Sequence, residues 1–240
     1  MPKPTFYNLP KDKQSRIIDA AIDEFSSVPF DAASVNRIVR ASKIAKGSFY
    51  QYFENMVDLY EYAVITIGTQ RKTVLIETSG YEQKKGLFGQ LKQVMIVGLR
   101  FGITEPKLYA AGMSLIGASF SNNALRPIYE QRHRQSLHFF EAILKAGVQS
   151  GAVRGNINVY ATATLITTTL THTLEPMIQH LLGFNIQEII QDPALAKDVE
   201  DGDIEEVVDA LLDVIFQGIQ ANPDAGKLDM NTMLKFWKNT

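Results

Sequence analysis

The stretch Lys46-Gly47-Ser48-Phe49-Tyr50-Gln51-Tyr52-Phe53 carries a lysine, a serine, a glutamine and two tyrosines side by side. Ammonium, hydroxyl and carboxamide groups at this density suit phosphate oxygens and base edges. Gly47 adds a point where a backbone can approach closely. From Ala32 to Phe53 the chain also holds Arg37, Arg40, Lys43 and Lys46 and no acid, whereas Glu188 to Asp213 carries ten acids against Lys197 alone. The chain therefore has a cationic end near its N-terminus, as phosphate binding through counterion release requires. A solvated cationic helix face would give the same charges, so position has to decide between the two.

Other chemistry is sparse. The 240 residues include no cysteine, which removes disulfides, thiolate metal sites and Cys nucleophiles. His133 and His138, and likewise His172 and His180, miss the i, i+4 spacing of a helical metal pair. No nucleophile motif, phosphate-cradling glycine loop or dinucleotide fingerprint occurs. No catalytic residue, metal or cofactor is expected, and the chain is not expected to be an enzyme. A net charge of -2 with 45% hydrophobic residues is ordinary for a globular protein. Neither a signal peptide nor an apolar run of spanning length is visible, so no membrane partner and a cytoplasmic location are expected.

The elements that must position these groups are helical. Ile17, Ile18, Ala21, Ile22 and Phe25 form one apolar stripe, with Pro10 in the opening turn and Pro29 closing the segment. A short helix from an N-cap at Ser34 carries Val35, Ile38 and Val39 inward. Ser42-Lys43-Ile44 suits a tight turn, and a second short helix runs from Ala45 to Tyr52. This is helix-turn-helix spacing. Helices this short do not persist alone, so Val35, Ile38, Ile44, Phe49 and Phe53 must dock them on the first helix. A core helix would not leave Lys, Ser, Gln and two Tyr exposed.

Further helices are expected from Asn55 through Ile67, over Leu87–Phe101, from Pro106, over Arg126–Val148, and over Ile157–Leu182 with a kink at Pro176. Another opens at Asp203, with Glu206 completing a capping box, and Asn222-Pro223 ends it. Gly80–Gly89 reads as a connection and Met230–Trp237 as a last short helix. The fold class is all-α: a three-helix N-terminal unit, residues 1–56, and a larger C-terminal bundle, residues 57–240.

Arg16-Ile17-Ile18-Asp19-Ala20-Ala21, Phe25, Ser34-Val35, Ile38 and Lys46 to Phe53 resemble the DNA-binding domain of the TetR/AcrR family of transcriptional regulators. The resemblance covers about residues 10 to 65. It implies a homodimer whose two recognition helices enter successive major grooves of a palindromic double-stranded operator, about 34 Å apart. It also implies a helical C-terminal domain that binds a small effector and forms the dimer interface, with repression as the family's usual sense. Carried over by position, Ser34, Asn36, Lys46, Gly47, Ser48 and Gln51 face phosphates or bases, and Tyr50 and Tyr52 hydrogen-bond the DNA backbone. The chain departs from the pattern at three places. Lys43 replaces the usual turn glycine, and either strain or a phosphate contact follows. Ala45 replaces the usual capping residue of the recognition helix. Met56 stands where a phosphate-binding Lys is common.

The C-terminal half is less specific. Phe101, Tyr109, Met113, Phe120, Tyr129, Phe140, Thr169 and His172 are candidates for lining a pocket for a hydrophobic or amphipathic effector, though plain core positions would look the same. The threonines from Thr162 to Thr173 either face a pocket or bond back to their own helix. Leu165, Leu174, Leu211, Leu212 and Ile215 are candidates for the interface with a second copy. Two rival readings stand beside the regulator: an all-α carrier or enzyme with an incidental basic N-terminal unit, and an architectural DNA-binder without an effector.

Overall fold

A computed structural model describes residues 1–78 and 86–217, and every regular element among them is helical. A short α1 (Pro4–Tyr7) precedes α2 (Lys11–Ser27), α3 (Val35–Ala41), α4 (Lys46–Tyr52) and α5 (Met56–Tyr60). A wide π turn, Glu61–Thr66, joins α5 to α6 (Ile67–Thr78) without a break. The bundle continues with α7 (Gly86–Thr104), α8 (Pro106–Ser121), α9 (Arg126–Gln149), α10 (Val159–His172), α11 (Leu174–Leu182), α12 (Ile186–Gln191) and α13 (Asp201–Gln217). No described helix is long and apolar enough to cross a membrane.

The N-terminal helices form where the apolar spacing demands. Ile17, Ile18, Ala21, Ile22 and Phe25 of α2 are buried, and the helix stops at Val28, extended ahead of Pro29. The core of this unit runs on into the bundle: Phe25, Phe30, Tyr60, Phe101, Leu108, Ala111 and Leu115 belong to one cluster. The Tyr60 ring meets Phe25 edge-on at 4.9 Å, and its hydroxyl donates to the Ala111 carbonyl at 2.7 Å. Lys107 pairs with Asp23 at 2.6 Å and Asn122 donates to Asp31 at 2.7 Å. Residue 56 is therefore followed by a continuous helix and a shared core, with no linker.

In the bundle α7 is buried on several sides, through Leu91, Met95, Val97, Leu99 and Phe101. It explains the acidic tract in part, because Lys92 pairs with Glu205 and Asp209 of α13 at 3.0 and 2.9 Å. The expected start of α13 at Asp203 is two residues late. The helix begins at Asp201, and the Asp203 carboxylate reaches back to accept the Glu200 N–H at 2.9 Å, so it sits within the first turn instead of capping it. The expected single helix Ile157–Leu182 is broken at Thr173, not kinked at Pro176. The proline ring collides with the carbonyl four residues upstream, which is that of His172, the last residue of α10. Gly147 is buried within α9 and does not punctuate a loop. Residues 86–89 are helical; the rest of the expected Gly80–Gly89 connection, and the expected features beyond residue 217, lie outside the described residues.

Two local features set the helix-turn-helix geometry. The first is the turn after α3. Ile44 N–H bonds the Val39 carbonyl at 3.0 Å and Lys43 N–H the Arg40 carbonyl at 3.3 Å, the paired bonds of a Schellman motif. Its left-handed position is occupied by Lys43, at φ 57°. The strain expected from a non-glycine residue there is thus present. The second is a clamp between α2 and α3. Glu24 accepts from Arg37 Nε at 2.9 Å and from the Ser34 N–H at 2.7 Å, and Arg37 also donates to the Ala32 carbonyl at 2.6 Å. Burial alone would raise the Glu24 carboxyl, but the bonds from Arg37 and Ser34 outweigh it and hold it below its usual 4.5.

Lys43→Gly is expected to stabilise the fold by about 1 kcal/mol, read as a higher urea midpoint. Because the Glu24 pKa is depressed on folding, its stabilisation is complete above 4.5 and is lost as pH falls through the folded value. In Glu24→Gln the acid limb of the stability–pH curve should therefore be shallower below pH 4.5 than in the wild type.

Candidate nucleic-acid interface

The seven residues of α4 divide cleanly between two faces. Phe49, Tyr52 and the following Phe53 are buried, whereas Lys46, Gly47, Tyr50 and Gln51 are exposed. These four fall at i, i+1, i+4 and i+5, a single stripe of a helix. Ser48 is half-buried beside it. A Cβ built on Gly47 meets nothing within 4 Å, so the fold itself does not require a glycine there. Ala45 has the N-cap backbone but supplies no capping bond, as its side chain dictates. Asn55, by contrast, caps α5 by accepting the Asp58 N–H at 3.0 Å. Ser34 is also in N-cap conformation, yet its side chain makes no cap bond, while Asn36 is exposed on α3.

The cationic face is smaller than the composition suggests. Arg37 is held in the Glu24 clamp, which raises its pKa chiefly through the Glu24 bond. Arg40, Lys43 and Lys46 are exposed and have no salt bridge among the described residues. Tyr52 does not face outward as expected. It is 6% exposed against 48% for Tyr50, and its ring packs on Phe6 while its hydroxyl accepts from Lys13 Nζ at 3.4 Å. The physical cause is register: Tyr52 follows Phe49 by one helical turn and shares its buried side.

The sequence pattern does not reveal α1. This single turn lies against α4, with Phe6 fully buried and its ring 5.1 Å from that of Phe53. The last carbonyls of a helix lack intrahelical donors. Here α1 supplies them: Lys3 Nζ donates to the Tyr50 carbonyl at 3.0 Å, Thr5 Oγ1 to that of Gln51, and the Lys3 N–H to that of Tyr52 at 2.8 Å. Four residues are too few for a periodic signal. Pro4 ahead of the aromatic pair Phe6-Tyr7 is the one cue the residues offer.

The expected pocket residues do not converge. Phe101 and Phe140 are core, in different clusters, and Phe120 is 73% exposed. Tyr129 stacks on His133 at 5.8 Å. Tyr109 is packed between two clusters with a buried hydroxyl that has no partner among the described residues, and burial raises it to about 12, helped by Glu175. Met113 and His172 do share an open cleft of about 480 Å³ with Thr171, Glu175 and Gln179. Thr169 is half-buried outside it. The threonine question resolves toward the helix: Thr162, Thr164, Thr167, Thr171 and Thr173 each donate to the carbonyl four residues back.

Of the residues expected between copies, Leu165 is 56% exposed on α10, along a face with Ala161, Thr168 and His172. Leu212 is 7% exposed and spent on the chain's own core with Val207 and Val208, so it is not available to a second copy. The stripe of α13 is wide because both α7 and α11 cover it. Leu211 and Ile215 are half-buried, and the side chain of Leu174 lies outside the described residues.

Residues 17–63 match the family described as bacterial regulatory proteins, tetR family. The chain is 24% identical over 191 residues to the probable acrEF/envCD operon repressor of Escherichia coli, a match covering 78% of this chain and 84% of that protein. It superposes on a TetR family transcriptional regulator from Chloroflexus aurantiacus with a TM-score of 0.71 and 25% identity, over 91% of this chain and 98% of that one. It shares its fold with the transcriptional regulator FadR of Bacillus subtilis, solved in complex with stearoyl-CoA, at a TM-score of 0.62 and 19% identity over 85% and 98% of the two chains. The matched segment spans α2 to the π turn and includes the outward stripe of α4, and with these likenesses over most of its length the chain belongs to the TetR family of DNA-binding transcriptional regulators.

Proposed function

We propose that this regulator is a homodimeric repressor that holds a palindromic operator and is released from it by a small amphipathic effector, in the cytoplasm. The observation that carries the reading is the division of α4 between a docked aromatic side and an outward side of Lys46, Gly47, Tyr50 and Gln51. A helix so anchored presents a rigid polar edge of the kind that fits a major groove. In this reading Lys46 meets phosphate, Gln51 reads a base edge and the Tyr50 hydroxyl bonds the DNA backbone. Gly47 leaves room for the duplex. Ser34, Asn36 and Ser48 flank the same edge, and Tyr52 contributes through anchoring.

Pairing of two copies is supported by the exposed face of α10 around Leu165. Release by an effector is supported by the shared core. Tyr60 belongs both to the DNA-binding unit and, through Ala111, to α8, so a ligand favouring a different bundle packing shifts the population away from the operator-competent arrangement. The division into a DNA-binding unit at residues 1–56 and an effector-binding and dimerisation unit at 57–240 is functional in this reading, since the core crosses it. Repression has its support in the likeness to the acrEF/envCD repressor, and an amphipathic effector in the likeness to FadR with its stearoyl-CoA.

Binding to the DNA flanking the protein's own gene, followed by fluorescence anisotropy across a salt series, tests the reading. Lys46→Ala and Tyr50→Ala should each cost about 1–3 kcal/mol of binding, and Lys46→Ala should lower the salt slope by about one. Affinity that ignores sequence, or substituted proteins that bind like the wild type, would reject it. Gly47→Ala separates the fold from the contact: it should leave thermal stability equal or higher, by up to about 1 kcal/mol, and weaken DNA binding.

A further inference from the structure

Two cations in the C-terminal half stand where the fold offers them no opposite charge. Lys72 occupies a core register of α6: Val64 and Gly68, buried, precede it at four-residue intervals, and half-buried Leu75 follows on the same side. Its Nζ lies 5.0 Å from the centre of the Phe101 ring, and Phe101 is itself buried in α7. Arg132 comes from α9, one turn beyond Tyr129, and its guanidinium donates to Thr69 Oγ1 of α6 at 3.4 Å. Neither side chain has a salt bridge among the described residues, although the other inward-leaning cations do: Arg71 pairs with Glu105 at 2.6 Å, Lys107 with Asp23 and Lys92 with α13.

Both groups keep accessible surface. Yet desolvation lowers the pKa of each, and the Arg132 charge lowers that of Lys72 further. Surface lysines and arginines in bulk water show neither effect. Side chains that are accessible but surrounded by protein look into an enclosed space, here bounded by α6, α7 and α9. A hydrated ammonium seldom takes a core register, because burying an unpaired charge is costly. Lysine and arginine together suit an acidic group: the guanidinium fork takes two oxygens of a carboxylate or phosphate, and the ammonium neutralises the remaining charge. The Phe101 ring beside them suits an apolar body.

We propose that the space between α6, α7 and α9 is the effector site of this regulator, and that Lys72 and Arg132 hold the anionic head of an amphipathic ligand whose apolar part lies against Phe101. This rests on the effector-released reading above and deepens it by assigning the charge of the ligand. Carboxylate and phosphate heads share the chemistry. Lys72 lies on the helix that runs through the π turn into α5 and Tyr60, so a pull on its head group acts on the segment that carries the DNA-binding unit.

The test uses the full chain, the substituted proteins Lys72→Met and Arg132→Gln, and four probes: decanoate, decanoyl-CoA, 1-decanol and inorganic phosphate. Thermal unfolding of the wild type should rise with decanoate or decanoyl-CoA, and less with 1-decanol. Lys72→Met and Arg132→Gln should each bind the anionic amphiphile about tenfold more weakly or worse and treat it like the alcohol. Which of decanoate, decanoyl-CoA and phosphate stabilises most separates a carboxylate head from a phosphate one. Without ligand, Lys72→Met should melt about 2–4 °C higher than the wild type, because an unpaired charge leaves a core register. The proposal is overturned if every anion stabilises Lys72→Met and Arg132→Gln as much as the wild type, if 1-decanol matches decanoate in the wild type, or if ligand-free Lys72→Met melts lower. DNA retention by the ligand-free wild type, measured alongside, tests the regulator reading separately. Its loss would end that reading without altering the anion result.

Discussion

A seven-residue helix has no stability of its own, and everything this molecule does with DNA depends on fastening one. The fastening is aromatic. Phe49 and Phe53 are fully buried, Phe6 closes over Phe53 from the chain's first turn, and Tyr52 lies along the same seam. With its inner side saturated, α4 has no freedom to roll. The outward set of Lys46, Gly47, Tyr50 and Gln51 is thereby fixed in direction. The bonds from Lys3 and Thr5 to the terminal carbonyls complete the restraint, since they satisfy acceptors that otherwise would be left to water.

The same economy joins the two halves. Tyr60 fills the space between Phe25 and Phe30 and donates to a carbonyl of α8, so the DNA-binding unit and the bundle are packed as one body of core. Burial raises the Tyr60 pKa, so its hydroxyl stays protonated and remains a donor throughout the ordinary pH range. Such a joint transmits rearrangement because close-packed interiors switch between arrangements and do not yield gradually.

Much of this is legible in the residues. The spacing of Ile17 to Phe25, the turn length at Ser42 to Ile44 and the chemistry of Lys46 to Phe53 locate the helix-turn-helix, and the absence of glycine at Lys43 correctly announces a strained turn. What stays hidden is tertiary. Arg37 counts as a free cation until Glu24, thirteen residues earlier, proves to hold it. Tyr52 reads as an outward phenol because composition does not distinguish the sides of a helix that short. Lys72 gives no signal, since a lysine in a long helix is ordinarily at the surface; only its four-residue distance from Gly68 hints otherwise. Pro176 signals an interruption, but its effect falls one turn upstream, where its ring meets the backbone.

The wide turn at Glu61–Thr66 has an evolutionary corollary. It represents surplus length stored inside a continuous rod. A gene that lost one codon there could rewind the segment as ordinary α-helix, rotating all that follows by about 100° relative to Tyr60. Gly68 and Lys72 would swing away from Phe101 while the operator-facing end stayed put. Homologues differing by a single residue in this stretch would thus share their DNA partner yet answer to unrelated metabolites.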